Sequence, residues 1–517
     1  MYIKKTRSFE MRLKNIFRNS SFSLLSQFVL ITVGFFSQRV MNFVMGEALI
    51  GMNSVISNII AILSVSELGI ASAIAFHLYE ALAIHDEEKI VSLMNLYRRA
   101  YFIFAAVIAI LGTCIMPFVH LFLKENVFSL SYVRFIYMLW LIRTVLSYLL
   151  SYKKSLLIAD QKEYIVSIVT LTMNLLNYGA IIIIIMLFQN YQLALSLNII
   201  IEAILNIWII RYVNKKYPFL RQHHRLSSDK NTIDMLLKDI KNIFISRLAS
   251  KLLVSTDNLI LSSFISVAIV GRYANYSMII QSVMNVALAL SNTLQPSIGN
   301  MFTDKDADKN YQVLRQITFL FFLLASICSA GSMSLMTRFV TDFWLSDSYR
   351  LEPPVVICCV INLFLFLISL PITAMISASG MFEKERNISI LYASVNLVLS
   401  LLLVKPLGIT GVLLGTSASY LVQIVFRIYI FFRFYLQKNT LKYIADILQY
   451  GILTFVQASG TYYVITRIYL KGNFSRLVLA VLICIFLPGM INLLIFFKSW
   501  RLQSIARMAK SFINPKK

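Results

Sequence analysis

Apolar residues recur along the 517-residue chain in runs of about 20 residues, separated by short polar connections. A run of that length crosses the hydrocarbon core of a bilayer as one α-helix. The pattern therefore predicts an all-α polytopic membrane protein with about 14 transmembrane helices and no soluble domain. The predicted spans are 20–45, 48–78, 94–122, 128–152, 164–188, 191–212, 243–265, 269–297, 315–337, 354–379, 387–404, 409–432, 446–468 and 475–497.

The order of spans and connections divides the chain into two lobes with an appendage. An internal repeat in the sequence predicts two six-helix lobes, and the last two helices lie outside this repeat. The predicted segments are a basic cytoplasmic N-terminus (1–19), an N-lobe of helices 1–6 (20–212), a polar cytoplasmic linker (213–242), a C-lobe of helices 7–12 (243–432), helices 13–14 (446–497) and a basic cytoplasmic tail (498–517).

The sequence repeats itself with a shift close to 220 residues. At that shift Gly51 coincides with Gly271, and Asp86 coincides with Asp306. Repeats of this length in a membrane protein indicate parallel bundles related by an axis along the membrane normal. Two residues further out of register, Lys162 and Asn174 coincide with Lys384 and Asn396.

The distribution of charge adds one prediction, the orientation of the chain in the membrane. The residues are 58% apolar and 14% charged, and the net charge is +24. Soluble domains are about a quarter charged. Lys and Arg are five times as frequent in the connections on the side of the N-terminus as in those on the opposite side, which is the positive-inside pattern. The basic charge therefore predicts cytoplasmic termini rather than nucleic-acid binding.

The sequence indicates neither a removable signal peptide nor a disulfide or metal-binding role for its cysteines. No small-residue cleavage site follows the first apolar run, so the first helix itself is the expected insertion signal. The five cysteines fall in apolar runs without zinc or disulfide spacing, which favours a packing role. They are Cys114, Cys328, Cys358, Cys359 and Cys484.

The stretch 37–79 carries one charge in each of two helices predicted to join through a tight turn around Gly46 and Gly51. These charges are Arg39 and Glu67. A charge at the centre of a lipid-facing helix costs roughly 2.5–3.5 kcal/mol, so both side chains are expected to face protein or water. Intramembrane charge of this kind is a functional hypothesis.

Other predicted spans add polar residues at helical spacing, which places them on shared faces. Arg143 lies in the inner half of the fourth span. The shared faces are Thr32, Arg39, Asn42 and Gly46; Asn53, Ser64 and Glu67; Asn198, Glu202 and Asn206; and Arg247, Lys251 and Asn258, with Asp257 to one side.

Mid-membrane cations outnumber the acids that can neutralise them. Facing lipid, four such cations would cost roughly 10–14 kcal/mol together. A hydrated, electropositive cavity between the lobes avoids that cost and suits an anionic cargo, since guanidinium matches phosphate oxygens. The cations are Arg39, Arg143, Arg247 and Lys251; the acids are Glu67, Glu202 and Asp257; and the expected cavity-lining amides are Asn42, Asn53, Asn198 and Asn258.

Structural interpretations of the same residues remain open. Arg39 with Glu67, or Asp257 with Arg247 or Lys251, can be stabilising ion pairs, and Glu202 can simply hold helices together. Outside these faces, Arg134 and Arg272 lie near the outer boundary, where long basic side chains reach the interface.

Two motifs of soluble proteins favour loop roles here. Asp304, Asp306 and Asp308 resemble a metal-binding D-x-D pattern but lack the glycine of a calcium loop, so a loop that caps the next helix is favoured. His223 and His224 have no Cys or acid at ligand spacing. We identify no catalytic constellation and no resident cofactor or metal site.

Several patterns resemble the Wzx-type polysaccharide flippases of the multidrug/oligosaccharidyl-lipid/polysaccharide exporter superfamily. They are the run from Arg39 through Gly46 and Gly51 to SELGIASAI and LYEAL, then ADQKEYI at 159–165, STDNLILSSFI at 255–265, VGRYANYSMI after it and SIGNM at 297–301. The resemblance covers residues 15–500. It implies two six-helix lobes in a V that open alternately to each side, and a cargo of oligosaccharide linked to undecaprenyl pyrophosphate.

The resemblance also implies site roles and partners. Arg39, Arg143, Arg247 and Lys251 match the cationic positions that contact pyrophosphate in such proteins. Glu67, Asp257 and Glu202 are candidates for coupling to Na+ or H+. The expected location is the bacterial cytoplasmic membrane, and the expected partners are the lipid-linked oligosaccharide, membrane lipid, and a polysaccharide polymerase with its chain-length proteins.

Three rival functions remain. A lipid II flippase is chemically close, and a drug or metabolite antiporter on the same scaffold would favour an acidic or aromatic cavity. A membrane polysaccharide polymerase would need reactive residues in an outer loop. The one candidate loop is 338–353, with Asp342, Asp347 and Arg350.

Overall fold

The structure is a computed structural model. It describes residues 26–64, 78, 81–82, 86–123, 127–160, 162–221, 248, 255–301, 306–379, 381–468 and 474–503. Over these residues the regular structure is entirely helical, and each of the fourteen predicted spans overlaps a helix. The predicted fold class, an all-α membrane protein, is confirmed. Nine helices of the described ranges are long and apolar enough to cross a membrane.

The chain divides into two compact units, Met1–Val270 (unit 1) and Gly271–Lys517 (unit 2). This boundary follows the seventh helix, whereas the predicted linker is 213–242. Of that linker, residues up to 221 are described: they end the sixth helix and form the 3₁₀ turn Pro218–Arg221. Residues 222–242 lie outside the described ranges.

Unit 1 contains the first seven helices. Within it, α4 packs against α2, α3 and α6, and α5 packs against α6. The helices are α1 (Ser26–Met45), α2 (Glu47–Leu63), α3 (Glu87–Ile115, continued by the 3₁₀ turn Met116–Phe122), α4 (Leu130–Ser151), α5 (Glu163–Phe188), α6 (Tyr191–Lys216) and α7 (255–264), with a short helix Lys154–Ala159 after α4.

Unit 2 is built around α9 and α10. The most apolar 18-residue stretch of α10 is 78% buried, against 17% for α5, so α10 is a core helix. The helices are α8 (Val267–Met301, which starts in unit 1), α9 (Ala307–Arg338, then a π-helical turn Phe339–Trp344), α10 (Pro353–Ala378), α11 and α12 (within Phe382–Phe431, then a π-helical turn Phe432–Leu436), α13 (Leu441–Thr466) and α14 (Phe474–Phe496).

Gly46 alone joins α1 to α2. Its φ of 80° lies in the region that favours glycine, so one helix ends and the next begins across a single residue. The predicted turn at Gly46 is confirmed, but the prediction that Gly51 belongs to the turn is wrong. Gly51 is buried inside α2, because the helix resumes directly after Gly46.

The repeat is visible in equivalent helix starts. Gly51 and Gly271 are each the fifth residue of their helices, α2 and α8. Asp86 accepts a hydrogen bond from Lys89 N (2.9 Å), and Asp306 accepts one from Lys309 N (3.1 Å). Both aspartates are therefore helix N-caps. This confirms the capping interpretation for Asp306. Asp308 lies in the first turn of α9 and its carboxylate pairs with Lys438, and Asp304 lies outside the described residues.

The last two helices are packed into unit 2 rather than appended to it. Both contact α9 and each other. Phe322 of α9 stacks on Tyr450 of α13 with ring centroids 4.2 Å apart, and Phe319 of α9 meets Phe496 of α14 at 5.0 Å. The repeat does not include α13 and α14, but the core of unit 2 does.

A break at Gly408 separates α11 from α12. Its φ of 59° and ψ of −135° are non-helical, and Pro406 precedes it. Two glycines four residues apart, Gly411 and Gly415, follow on α12. A Cβ at Gly411 would lie 2.1 Å from Leu403 O, and one at Gly415 would lie 2.5 Å from Ser400 Oγ. This small-xxx-small pattern lets the two helix backbones approach closely.

All five cysteines are free thiols. Cys358, Cys359 and Cys484 are buried, which confirms a packing role for these three. Cys328 is partly buried, and Cys114 is exposed.

Candidate functional site

The predicted stripe on α6 is present and faces the interior of unit 1. Asn198 is 2% exposed and Asn206 is 3% exposed, with Glu202 between them. The i, i+4, i+8 spacing brings the three side chains onto one face. Because α6 packs against both α4 and α5, this face meets polar residues of both helices.

Arg143 and Glu202, which the sequence placed in separate roles, form an ion pair. Arg143 Nε donates to Glu202 Oε1 at 2.8 Å, and Arg143 Nη2 donates to the same oxygen. Asn177 Nδ2 of α5 adds a third hydrogen bond to Oε1 at 3.1 Å. The side chains of Arg143 and Glu202 are 24% and 12% exposed. Arg143 is therefore partnered in this state, and its role toward pyrophosphate stays a prediction.

Aromatic side chains hold the ion pair in place. The Arg143 guanidinium lies 5.0 Å from the ring centroid of Trp140, one turn earlier on α4. Trp140 Nε1 donates to Asn53 Oδ1 of α2 at 2.9 Å, and the Tyr191 hydroxyl donates to the same oxygen at 2.6 Å. Asn53, a predicted cavity-lining residue, therefore positions Trp140 and, through it, Arg143.

Three amide oxygens in this cluster lack a hydrogen-bond donor. The amide oxygens of Asn177, Asn198 and Asn206 are buried and accept no hydrogen bond from the described residues. Buried polar groups in folded proteins are almost always hydrogen-bonded, so three orphans in one cluster need an explanation. Such a cluster suits a bound group that donates hydrogen bonds, or a second arrangement of its own side chains.

Arg39 lies on the exposed face of α1. It shares that face with Phe36 (55% exposed) and Phe43 (91% exposed). Asn42 is turned inward at 3% exposure, and its Nδ2 donates to Gln38 O at 2.8 Å. The predicted lining role of Asn42 stays a prediction.

Three predicted residues, Glu67, Arg247 and Lys251, lie outside the described residues, as do His223 and His224. Of their predicted neighbours on α7, Asp257 is 7% exposed and Asn258 is half-buried. The Asn258 amide oxygen accepts no hydrogen bond from the described part of the chain. The proposed coupling role of Asp257 stays a prediction.

Two charged clusters in unit 2 were not predicted. Arg427 of α12 is 6% exposed and donates to Glu385 of α11 and to Thr373 Oγ1 of α10 at 2.6 Å. The predicted spans place Glu385 in the connection before helix 11 and Arg427 near the end of helix 12. A signal was present: Arg427 lies eight residues after Ser419, on the face that the repeat aligns with the stripe on α6.

The second cluster joins α9, α13 and the segment after α14. Arg315 Nε and Arg501 Nη2 each donate to the Asp446 carboxylate at 2.7 Å, and Arg501 also donates to the Tyr450 hydroxyl. Two cations share one acid here. Arg501 had been counted as part of a solvated basic tail, yet it is 8% exposed.

The motif ADQKEYI has a structural role at the end of α6. Asp160 pairs with Lys162, and the Tyr217 hydroxyl donates to Asp160. Burial, together with that hydrogen bond, raises the pKa of Tyr217 to about 12, so the phenol keeps its proton at neutral pH. These contacts join the connection between α4 and α5 to the end of α6.

In the loop that a polymerase would need, the charged residues form local contacts. Arg350 pairs with Asp347 at 2.6 Å, and Asp342 accepts from Thr341 Oγ1 at 2.8 Å. The hydrogen bond to Asp347 raises the pKa of Arg350. Within the described residues no group of three or more His, Cys, Asp or Glu side chains can hold a metal ion.

Comparison with solved structures identifies the fold. The lipid II flippase MurJ, in an inward closed conformation, superposes with a TM-score of 0.71 at 13% identity, covering 92% of this chain and 99% of the flippase. A multidrug resistance MATE family transporter of the MOP superfamily, in an inward-facing conformation, gives 0.64 at 12% identity and covers 80% and 98%. The chain has the MurJ and MATE fold.

This fold is recognised from structure alone, since no family model and no curated protein matches the chain. An outward-facing MATE family transporter also superposes, with a TM-score of 0.57 at 13% identity over 82% of this chain and 96% of the transporter. The MurJ and MATE fold agrees with the predicted multi-pass membrane protein. It leaves the finer Wzx-type specificity as a hypothesis.

Proposed function

We propose that this protein is a flippase that moves undecaprenyl-pyrophosphate-linked oligosaccharide repeat units across the bacterial cytoplasmic membrane for surface polysaccharide biosynthesis. The diphosphate is held by guanidinium and ammonium groups, the sugar crosses a hydrated path and the prenyl chain stays in lipid. Alternating access is coupled to a Na+ or H+ gradient through Glu202, Asp257 or Glu67.

The observation that carries this proposal is the extent of the match to a solved lipid II flippase. That structure covers 92% of this chain, whereas the MATE transporter covers 80% while itself being covered at 98%. The difference corresponds to about 60 residues of this chain. The more extensive match to the flippase supports a lipid-linked cargo more than a small drug.

Charge supports an anionic cargo. Arg39 is an exposed guanidinium inside a membrane span, where contact with lipid would cost roughly 2.5–3.5 kcal/mol. A hydrated path relieves that cost, and guanidinium binds phosphate oxygens in a bidentate manner. The same exposed cation disfavours a cationic drug as cargo.

A chromosomal deletion strain tests the cargo. We expect lipid-linked repeat units to accumulate on the inner side, and the structure of the accumulated saccharide names the substrate. Purified full-length protein in proteoliposomes should then move a fluorescent undecaprenyl-pyrophosphate oligosaccharide, but neither lipid II nor a cationic dye. Transport of lipid II alone would favour the flippase rival, and transport of the dye would favour the antiporter.

Arg39 provides the sharpest variant. Arg39→Ala should leave the melting temperature of the purified protein unchanged, because the side chain is exposed, and should abolish export. Arg39→Lys keeps the charge but loses the bidentate geometry, so partial export is expected. Normal surface polysaccharide in the Arg39→Ala strain would contradict a role in cargo binding.

A further inference from the structure

Glu202 binds Arg143 much as a cargo phosphate would. Two guanidinium N–H groups of Arg143 and the Asn177 amide converge on Glu202 Oε1, and the other carboxylate oxygen accepts nothing from the described residues. A carboxylate and a phosphate present the same kind of charged acceptor to guanidinium. Glu202 therefore occupies the N–H groups that an anionic ligand of Arg143 would use.

The Arg143 guanidinium is more accessible than that of its counterpart in unit 2, Arg427, although the two acids are similarly exposed. The Arg143 and Glu202 side chains are 24% and 12% exposed, whereas Arg427 and Glu385 are 7% and 14% exposed. The second pair is further closed by Thr373, which accepts from Arg427 at 2.6 Å. An incoming anion can reach the Arg143 guanidinium without dismantling a sealed core.

The surroundings of Glu202 are equipped for a second arrangement. Asn198 and Asn206 lie one turn to either side on α6, and amides at that spacing reach a carboxylate between them. Their oxygens are orphaned in the present arrangement. Reorientation of either amide toward a displaced Glu202 would give the carboxylate an N–H donor and move the orphaned oxygen out of its present site.

Resting on the proposed function, we infer that Glu202 is a built-in competitor that occupies Arg143 until the cargo diphosphate displaces it. Arg143 exchanges one anion for another, so no bare guanidinium is left inside the membrane when the cargo leaves. The released carboxylate turns to the amides of Asn198 and Asn206. Trp140 keeps the guanidinium in place during the exchange through its face contact.

Binding of inorganic pyrophosphate to full-length protein in detergent, measured by isothermal titration calorimetry, tests this exchange. Glu202→Gln should bind about tenfold more tightly than the unmodified protein, because a neutral amide competes less well for guanidinium. Arg143→Gln and the double variant Arg143→Gln with Glu202→Gln should lose binding. The double variant retains no unpaired charge, so its loss of binding would not reflect misfolding.

Glu385→Gln is the matched control, since it alters the equivalent kind of pair in unit 2, and should leave pyrophosphate affinity unchanged. Equal or weaker binding by Glu202→Gln, an equal gain in Glu385→Gln, or retained binding in Arg143→Gln would each overturn the inference. The proteoliposome assay separates the two proposals. Transport of the lipid-linked oligosaccharide without tighter pyrophosphate binding by Glu202→Gln would refute only the exchange, and absence of that transport would refute the proposed function.

Discussion

The two units place polar residues at matching positions and use them differently. A shift of 221 residues aligns the stripe on α6 with Ser419, Gln423 and Arg427 on α12. In unit 1 the central member is an acid, Glu202, paired with Arg143 of α4. In unit 2 the central member is neutral, and the charge lies at the end of the stripe, where Arg427 pairs with Glu385.

Hydrogen bonding separates the two stripes more clearly than charge does. In the described residues of α10, α11 and α12, no fully buried polar side-chain atom lacks a partner. Asn362 donates to Leu413 O at 3.1 Å and Asn396 to Thr416 Oγ1 at 3.0 Å. The amides of unit 1 are left partly unsatisfied. We conclude that the polar groups of α10, α11 and α12 stabilise helix packing, whereas the amide oxygens of the stripe on α6 are available to a ligand. Elsewhere in unit 2, Asn310 Oδ1 and Gln457 Oε1 are also buried and accept no hydrogen bond from the described residues.

The largest expected effect on the free energy of unfolding comes from replacing the acid of the ion pair in each unit. Glu385→Ala leaves Arg427 buried without its partner, and breaking a buried pair costs about 3–5 kcal/mol. Glu202→Ala leaves the more exposed Arg143, so a loss of about 1–2 kcal/mol is expected. Thermal unfolding of the purified variants measures the difference.

The two substitutions should rank in the opposite order when transport per folded molecule is measured. We expect Glu385→Ala to transport normally once corrected for the folded fraction, and Glu202→Ala to be impaired. Equal stability losses together with equal transport would remove the distinction between a structural and a functional unit.

A smaller loss of stability is expected from a substitution where the backbones of α11 and α12 approach each other. Gly411→Ala brings a methyl group within 2.1 Å of the Leu403 carbonyl oxygen, and forcing the helices apart costs about 1–3 kcal/mol. Gly460→Ala on α13 is the control, because no neighbouring atom lies within 4 Å of its added Cβ. A stable Gly411→Ala protein would mean that the contact does not hold these helices together.

The smallest effect should be the same in both units. Asp86→Ala and Asp306→Ala each remove an N-cap of the repeat, which costs about 1 kcal/mol. Hydrogen exchange at the first turns of α3 and α9 should rise by similar factors. A rise confined to one helix would show that the repeat has diverged at its helix starts as well as at its stripes.

Periodicity predicted the helices and the faces that their polar residues share. Asn198, Glu202 and Asn206 could be placed together because neighbours at i+4 on a helix share a face whatever surrounds them. The partner of that face could not be predicted, since α4 is distant in sequence and packing alone brings Arg143 to Glu202. Ion pairs between helices determine which charged side chains remain free to bind a ligand. The excess of mid-membrane cations over acids, counted from the sequence, does not include these pairs.

The ion pairs formed by charged residues near helix ends could not be predicted for a related reason. Arg315, Arg427 and Arg501 fit the positive-inside pattern, which explains a basic residue by topology and asks for no partner. Their acids, Asp446 and Glu385, lie near the starts of helices, where acidic residues also have a local explanation. Both local explanations hold, and neither reveals that the side chains meet.

The buried place of Arg501 affects how unit 2 matures during synthesis. Asp446 receives one guanidinium from α9, which is made early, and the other from a residue that follows α14. Until that residue leaves the ribosome, the carboxylate and the Tyr450 hydroxyl wait without this partner. A stop codon at position 499 would therefore yield a protein that retains α1–α14 but leaves Asp446 with only its bonds to Arg315.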